Sequence, residues 1–227
     1  MSSLFITGTD TGVGKTIITA GLTALLQAHG KKAIPMKPVQ TGGIPAEDLK
    51  VYRQITGLPL KEKAINPYCL TPPASPMVAA HLTQKNIDPA KIKAAYLQLK
   101  KKYEIVLVEG AGGLAVPFSP TYTFADLARE LKLPLLIVAR SSLGTINHTV
   151  LTVNYALQHG LQVKGIIING FQNEKATTIE KSNPRVIELL TGIPILGVLP
   201  YLKNLEKQQL IKIFMETIEW SKLFEED

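Results

Sequence analysis

Lys15, Lys37, Asp48 and Glu109 lie far apart in the chain but are of types that could handle phosphate together. Lys15 and Thr16 close the run "GTDTGVGKT", between an apolar stretch and a segment with helical periodicity. Glycines let backbone N–H groups approach phosphate oxygens, and a helix N-terminus adds the positive end of its dipole. In such a loop the lysine reaches the β- and γ-phosphates, and the following hydroxyl can bind Mg2+. The usual spacing, G-x-x-x-x-G-K-[ST], is met at Gly14-Lys15-Thr16 but not at its first position. That position holds Thr9, and Gly8 lies one residue early. A glycine-rich turn that binds nothing is the bland alternative, yet strand, glycines, Lys-Thr and helix fall in the order of a phosphate-binding loop.

A nucleotide loop needs an acid for its metal. Glu109 ends "YEIVLVEG", a position like the Walker-B carboxylate. The "GAGG" after that acid points to a close backbone approach to a ligand. Asp48, in "PAEDLKVYR", could hold the same metal, or serve equally as an acid that complements a helix dipole. Lys37, in "MKPVQTG", follows a buried strand and precedes a proline that fixes the turn. It could be simply solvated, or it could add a second positive charge at a transferring phosphoryl group. Cys69 reads as a small core residue rather than a nucleophile, and His148 as a structural or dimer-contact residue rather than a general base.

These residues need a scaffold that brings them together. Apolar runs recur as "LFIT", "KAIPM", "EIVLVEG", "LPLLIVAR", "VKGIIING" and "IPILGVLP". Several are apolar at consecutive positions, as in strands buried on both faces. Helical periodicity fills about 14–29, 76–84, 88–102, 124–132, 145–159 and 204–223. The alternation predicts an α/β fold with a mainly parallel, doubly wound sheet flanked by helices, in which ligands sit at the carboxyl ends of strands. The polar clusters Gly8–Thr16, Lys37–Thr41, Glu109–Gly113, Ser141–Asn147, Asn169–Gly170 and Pro200–Leu202 all follow strand candidates.

The length of 227 residues suits one domain over 1–227. A hydrophobic content of 45% with 19% charged residues fits a globular chain. No apolar run reaches the roughly 18–20 residues of a membrane span, and no signal peptide is expected at "MSSLFITG". One cysteine and four scattered histidines argue against a zinc cage and fit a reducing, cytoplasmic setting. The net charge of +7 raises nucleic acid as a partner. The visible run, Lys91, Lys93, Lys100, Lys101 and Lys102, reads instead as a solvated helix face with cations near its C-terminus. The expectation is therefore no nucleic-acid and no membrane partner.

Six motifs, "GTDTGVGKT", "KPVQTG", "NPY…PPASP", "VEGAGGLAVPF", "TFADLA" and "LGTINHT", occur together and in order between residue 4 and about 202. In this the chain resembles the ATP-dependent dethiobiotin synthetases. The resemblance implies a P-loop NTPase-like fold and a ligase that joins 7,8-diaminononanoate and CO2 (or bicarbonate) at the expense of ATP. The products would be dethiobiotin, ADP and phosphate, formed through a carbamate and a carbamic–phosphoric anhydride. It implies that Gly12, Val13, Gly14, Lys15, Thr16 and Ile17 line the triphosphate, and that Thr16, Asp48 and Glu109 bind Mg2+. Lys37 and Lys15 would be catalytic. Gly110, Ala111 and Gly112 would touch the nucleotide beside Glu109, with Asn169, Gly170, Pro200, Tyr201 and Leu202 around its base. Thr11, Lys37 and Thr41 would face the diamine. Gly144, Thr145, Ile146 and Asn147 would hold its carboxylate tail from the other subunit of a homodimer.

The chain departs from the family pattern in two places. Asn169-Gly170 stands where many relatives have Asn-Asp, which leaves the base preference open, and Met77 replaces a common histidine. The segment 171–190 receives no role. Ligases that amidate corrinoids carry a further glutaminase domain with a cysteine nucleophile, for which this chain has neither the length nor the cysteine context. Partition ATPases carry an extra lysine early in the loop, where this chain has Asp10. A non-catalytic nucleotide sensor would have little use for a second lysine at the transferred group.

Overall fold

The consecutive apolar runs become strands because β-branched side chains pack well on a pleat covered on both faces. The computed structural model describes residues 3–43, 46–59, 61–172, 177–202 and 206–224. In chain order it begins with β1 (Leu4–Gly8), α1 (Lys15–Ala28), β2 (Ala33–Met36), β3 (Val39–Thr41), α2 (Glu47–Thr56), α3 (Glu62–Ile65) and β4 (Tyr68–Leu70). Next come α4 (Pro76–Leu82), α5 (Pro89–Lys100), β5 (Ile105–Gly113), β6 (Pro117–Ser119), β7 (Tyr122–Thr123) and α6 (Phe124–Glu130). The chain continues with β8 (Leu135–Arg140), α7 (Thr145–Gln158), β9 (Val163–Phe171), α8 (Thr178–Thr191), β10 (Ile195–Pro200) and α9 (Lys207–Thr217).

Six strands form one sheet in the order β10-β9-β8-β1-β5-β2, and every pairing in it is parallel. The chain runs outward from β1 through α1 to β2 and returns to β5 beside β1. It then crosses to β8 on the other side of β1 and proceeds outward to β9 and β10. The carboxyl end of β1 is therefore the point where the winding reverses, the place where such sheets take ligands. Ile6 of β1 pairs with Glu109 of β5, so the sheet register brings that acid beside the loop after β1. The doubly wound α/β architecture expected from the alternation is present.

The core runs along β1, β5, β8 and β9, where Leu4–Ile6, Ile105–Val108, Leu135–Ala139 and Ile166–Ile168 are buried. The helix α1 is buried from Ile18 to Leu26 and packs against β1, β2 and β5, with α2 and α9 beside it. Gly21 lets α9 come close, since a Cβ there would lie 2.3 Å from the Phe214 ring. No described helix is long and apolar enough to cross a membrane.

The single helix expected over 204–223 is shorter. Residues 203–205 lie outside the described residues, α9 stops at Thr217, and Trp220–Leu223 forms a separate 3-10 turn. Ile218 is extended and bridges to Gly197 of β10, while the Glu219 N–H donates to the Leu196 carbonyl at 2.8 Å. Burying Ile218 while satisfying that carbonyl breaks the helix, although the apolar periodicity runs on.

Candidate active site

The loop after β1 folds back over its own strand. A Cβ at Gly8 would lie 2.7 Å from the Val13 side chain and 3.0 Å from Lys15 Nζ. Glycine is thus required one residue before the usual motif position, where this loop makes its close contact. Gly14 takes a left-handed conformation with φ 95° and leads into α1. A Cβ there would collide with Asn169 Nδ2 at 2.0 Å. Asn169, on β9, donates from Nδ2 to the Val13 carbonyl at 2.9 Å and so ties the loop to a second strand end. Lys15 Nζ donates to the Asp10 carbonyl at 2.8 Å. Burial, and next the charge of Lys37, pull the Lys15 ammonium down to a pKa of about 8. Asp10 accepts from the Thr11 N–H at 2.7 Å and pairs with Arg140 at the end of β8. The Thr11 amide, followed by the Arg140 charge, holds the Asp10 carboxyl below its ordinary range.

Beside the loop, Thr16 Oγ1 lies 2.9 Å from both Asp48 Oδ1 and Glu109 Oε1. A hydroxyl has one hydrogen, so it can donate to only one carboxylate at a time. The second carboxylate is met by Lys37, whose Nζ lies 2.6 Å from Glu109 Oε1, 2.8 Å from Asp48 Oδ2 and 3.1 Å from the Gly110 carbonyl. Burial alone would lower the Lys37 ammonium's pKa, but Glu109 and then Asp48 outweigh it and raise it. Glu109 is fully buried, and its other oxygen, Oε2, accepts from the Tyr52 hydroxyl.

The elements explain this meeting. Lys37 directly follows β2, and Glu109 lies on the neighbouring strand β5, one residue beyond the pairing of Met36 with Val108. Lys37 is pinned there by its N–H to the Ile65 carbonyl at 2.8 Å and by Asn66 Nδ2 on its own carbonyl at 2.7 Å. Asp48 and Tyr52 are one turn apart on α2, hence on one face, and α2 packs on α1, which carries Thr16.

Two cavities flank the loop, and Gly12, Gly14 and Ile17 line both. One, of about 650 Å³, gathers Thr11, Lys15, Thr16, Lys37, Thr41, Asp48, Glu109, Ala111 and Gly112. Gln40, Gly42, Pro73–Pro76 and Val116 close it. The other, of about 440 Å³, gathers Val13, Asn169, Gly170, Tyr201 and Leu202, with Arg140, Ser141, Ser142, Phe171, Gln172 and Glu180. Gly110 and Pro200 line neither; Gly110 is packed beneath, its carbonyl turned to Lys37. Gly144, Thr145, Ile146 and Asn147 also lie outside both cavities of this chain. Gly144 caps α7, and the buried Thr145 donates its hydroxyl to the Arg140 carbonyl at 2.6 Å. Met77 and His148 line neither cavity, nor does Cys69, whose thiol bonds the Gly43 carbonyl and is pushed up by burial.

Tyr52, Arg140 and Glu180 are among the residues of the site that escaped the sequence reading. Tyr52 carried a signal, because it falls four residues after Asp48 on a helix. Arg140 ends a recognised strand candidate. Glu180 lies in the segment that received no role, although the Thr177–Glu180 capping box marks a helix start there. Glu180 brings to the smaller cavity the acid that Asn169-Gly170 lacks.

Among the described residues no three or more His, Cys, Asp or Glu side chains converge as a metal cluster. Two carboxylates and the Thr16 hydroxyl are the set that could hold a divalent cation. Mg2+ is commonly bound in this way, by one or two carboxylates with phosphate oxygens and water completing its shell. The convergence of carboxylate and hydroxyl oxygens from three separate elements fits such a cation.

A family model described as an AAA domain matches residues 2–209. The ATP-dependent dethiobiotin synthetase of Anoxybacillus flavithermus is 44% identical over 218 residues, covering 93% of this chain and 97% of its own. That of Bacillus subtilis (strain 168) is 39% identical over 226 residues, covering 98% and 97%. Among solved structures, the MinC:MinD cell division complex of Aquifex aeolicus matches with a TM-score of 0.62 at 18% identity, covering 95% of each chain. The septum site-determining protein MinD from Pyrococcus horikoshii, complexed with Mg-ADP, matches with a TM-score of 0.59 at 17% identity, covering 95% and 96%. These structural likenesses show the fold alone.

Proposed function

This chain belongs to the family of ATP-dependent dethiobiotin synthetases, which are ligases, and we propose that it closes the ureido ring of dethiobiotin from 7,8-diaminononanoate, CO2 and ATP. The observation that carries the reading is the placement of Lys37. Its ammonium stands between Asp48 and Glu109, in the 650 Å³ cavity that also holds Lys15 and the open faces of Thr11 and Thr41.

In this reading the whole chain acts as one domain, and the triphosphate lies along Gly12–Ile17 with its base in the smaller cavity near Asn169, Gly170, Tyr201 and Leu202. Mg2+, held by Thr16, Asp48 and Glu109, would neutralise charge on the phosphates. Lys15 binds the β- and γ-phosphates. One amine of the diamine adds to CO2 and gives a carbamate and a proton. A carbamate oxygen attacks the γ-phosphorus as the bond to ADP breaks. The second amine then attacks the carbonyl carbon and loses a proton as the ring closes and phosphate leaves. Lys37, freed from the carboxylates, steadies negative charge on the carbamate and the transferring phosphoryl group. No side chain forms a covalent bond to substrate, so positioning and charge carry the rate.

A homodimer completes the site in this reading, with Gly144–Asn147 of each subunit holding the diamine tail bound by the other. What supports it is an exposed apolar edge: Leu143 is 90% exposed and Leu151 59%. A cytoplasmic location is part of the same proposal. The test is phosphate release from Mg-ATP with and without diaminononanoate and bicarbonate. Release is expected only when both are present; release that ignores the diamine would refute the assignment.

A further inference from the structure

Tyr52 is a fully buried tyrosine whose hydroxyl lies among charged groups. It donates to Glu109 Oε2, and the buried Thr19 of α1 adjoins it. A carboxylate oxygen can only accept, so the phenol hydroxyl is the donor in this contact. The two oxygens of Glu109 thus have separate duties. Oε1 faces Thr16 at 2.9 Å and Lys37 at 2.6 Å, toward the cavity, while Oε2 is held from behind. The terminal torsion of a glutamate is broad and roughly two-fold, so hydrogen bonds fix a carboxylate's plane better than rotamer preference does. The same helix supplies Asp48 one turn earlier. The helix α2 therefore grips the site at two points, a carboxylate beside Thr16 and a hydroxyl behind Glu109.

We propose that Tyr52 is a positioning residue, which fixes the Glu109 carboxylate plane so that Oε1 alone is presented to the divalent cation of the bound nucleotide. The proposal rests on the reading of Glu109 as a metal ligand. Partners of this kind, hydrogen-bonded to ligating carboxylates, typically matter 10- to 100-fold for metal affinity. A tyrosine that only fills the core would be replaced by phenylalanine at little cost, because the ring is retained.

The test is calorimetric titration of ADP into the intact protein, with Mg2+ and with EDTA, for the original chain, Tyr52→Phe and Glu109→Gln. The readout is the ratio of the two dissociation constants. Tyr52→Phe is expected to shrink the gain from Mg2+ by about tenfold or more while leaving the EDTA value unchanged. The EDTA value is the control for folding, since an unchanged value shows that Tyr52→Phe keeps its nucleotide loop and that a lost Mg2+ gain is not a loss of fold. If Glu109→Gln loses the gain and Tyr52→Phe keeps it, the positioning role is refuted and the metal reading stands. If Glu109→Gln also keeps the gain, both fall.

Discussion

At the scale of single residues, the site is governed by a shortage of hydrogens. Two carboxylate oxygens, Asp48 Oδ1 and Glu109 Oε1, compete for the one hydroxyl hydrogen of Thr16, and the Lys37 ammonium makes good the deficit with contacts of 2.6 Å to Glu109 Oε1 and 2.8 Å to Asp48 Oδ2. A divalent cation arriving with nucleotide would satisfy the same oxygens and release the ammonium toward the phosphates. Lys37→Ala should therefore do more than abolish turnover. In chelator, it leaves a buried carboxylate without its counter-charge, which typically costs about 3–5 kcal/mol. Added Mg2+, without nucleotide, should recover part of that loss in the variant and have little effect on the original chain. Thermal unfolding in EDTA and in Mg2+ measures both, and an unchanged transition for Lys37→Ala in EDTA would show that the ammonium is not the stand-in.

At the scale of elements, the sequence was most readable where burial is two-sided and continuous. All six sheet strands and α1 are spelled by mostly apolar runs such as "EIVLVEG" and "IITAGLTALL". The helix α2 was legible only at its start, through Asp48 as an N-terminal acid, because only Leu49, Tyr52, Ile55 and Thr56 of its ten residues are buried, and a tyrosine and a threonine do not read as core. The helix α8 was hidden for a related reason, with Pro184 inside it and a largely polar first half. The strands β3 and β4, three residues each, are too short to show a period and pair only with each other. The Thr16–Asp48–Glu109 meeting could be anticipated from a motif, whereas the Tyr52 contact depended on how α2 packs, which no local pattern states. Packing between elements also yields a prediction opposite to propensity. Alanine is the better helix former by about 1 kcal/mol. Gly21→Ala should nonetheless destabilise the fold by about 1–3 kcal/mol, since its methyl would press into the buried Phe214 ring and push α9 outward. Urea unfolding reads the sign directly.

At the scale of the whole molecule, Asn147, Leu151 and Asn154 lie along one exposed stripe of α7, with Leu143 just before it. If this stripe is where two copies meet, Leu151→Glu should give a monomer by sedimentation. It should also bind Mg-ATP normally while losing turnover of the diamine. A variant that stays dimeric with full turnover would place the contact elsewhere.

The bond from Asn169 Nδ2 to the Val13 carbonyl, at 2.9 Å, bears on how quickly such a molecule can start work. It joins the loop after β1 to the end of β9, so the chain itself holds the loop's shape. The entropy of ordering it has been spent in folding and is not charged again at each turnover. A loop held in this way has less conformational freedom left to lose when it meets a phosphate-bearing ligand.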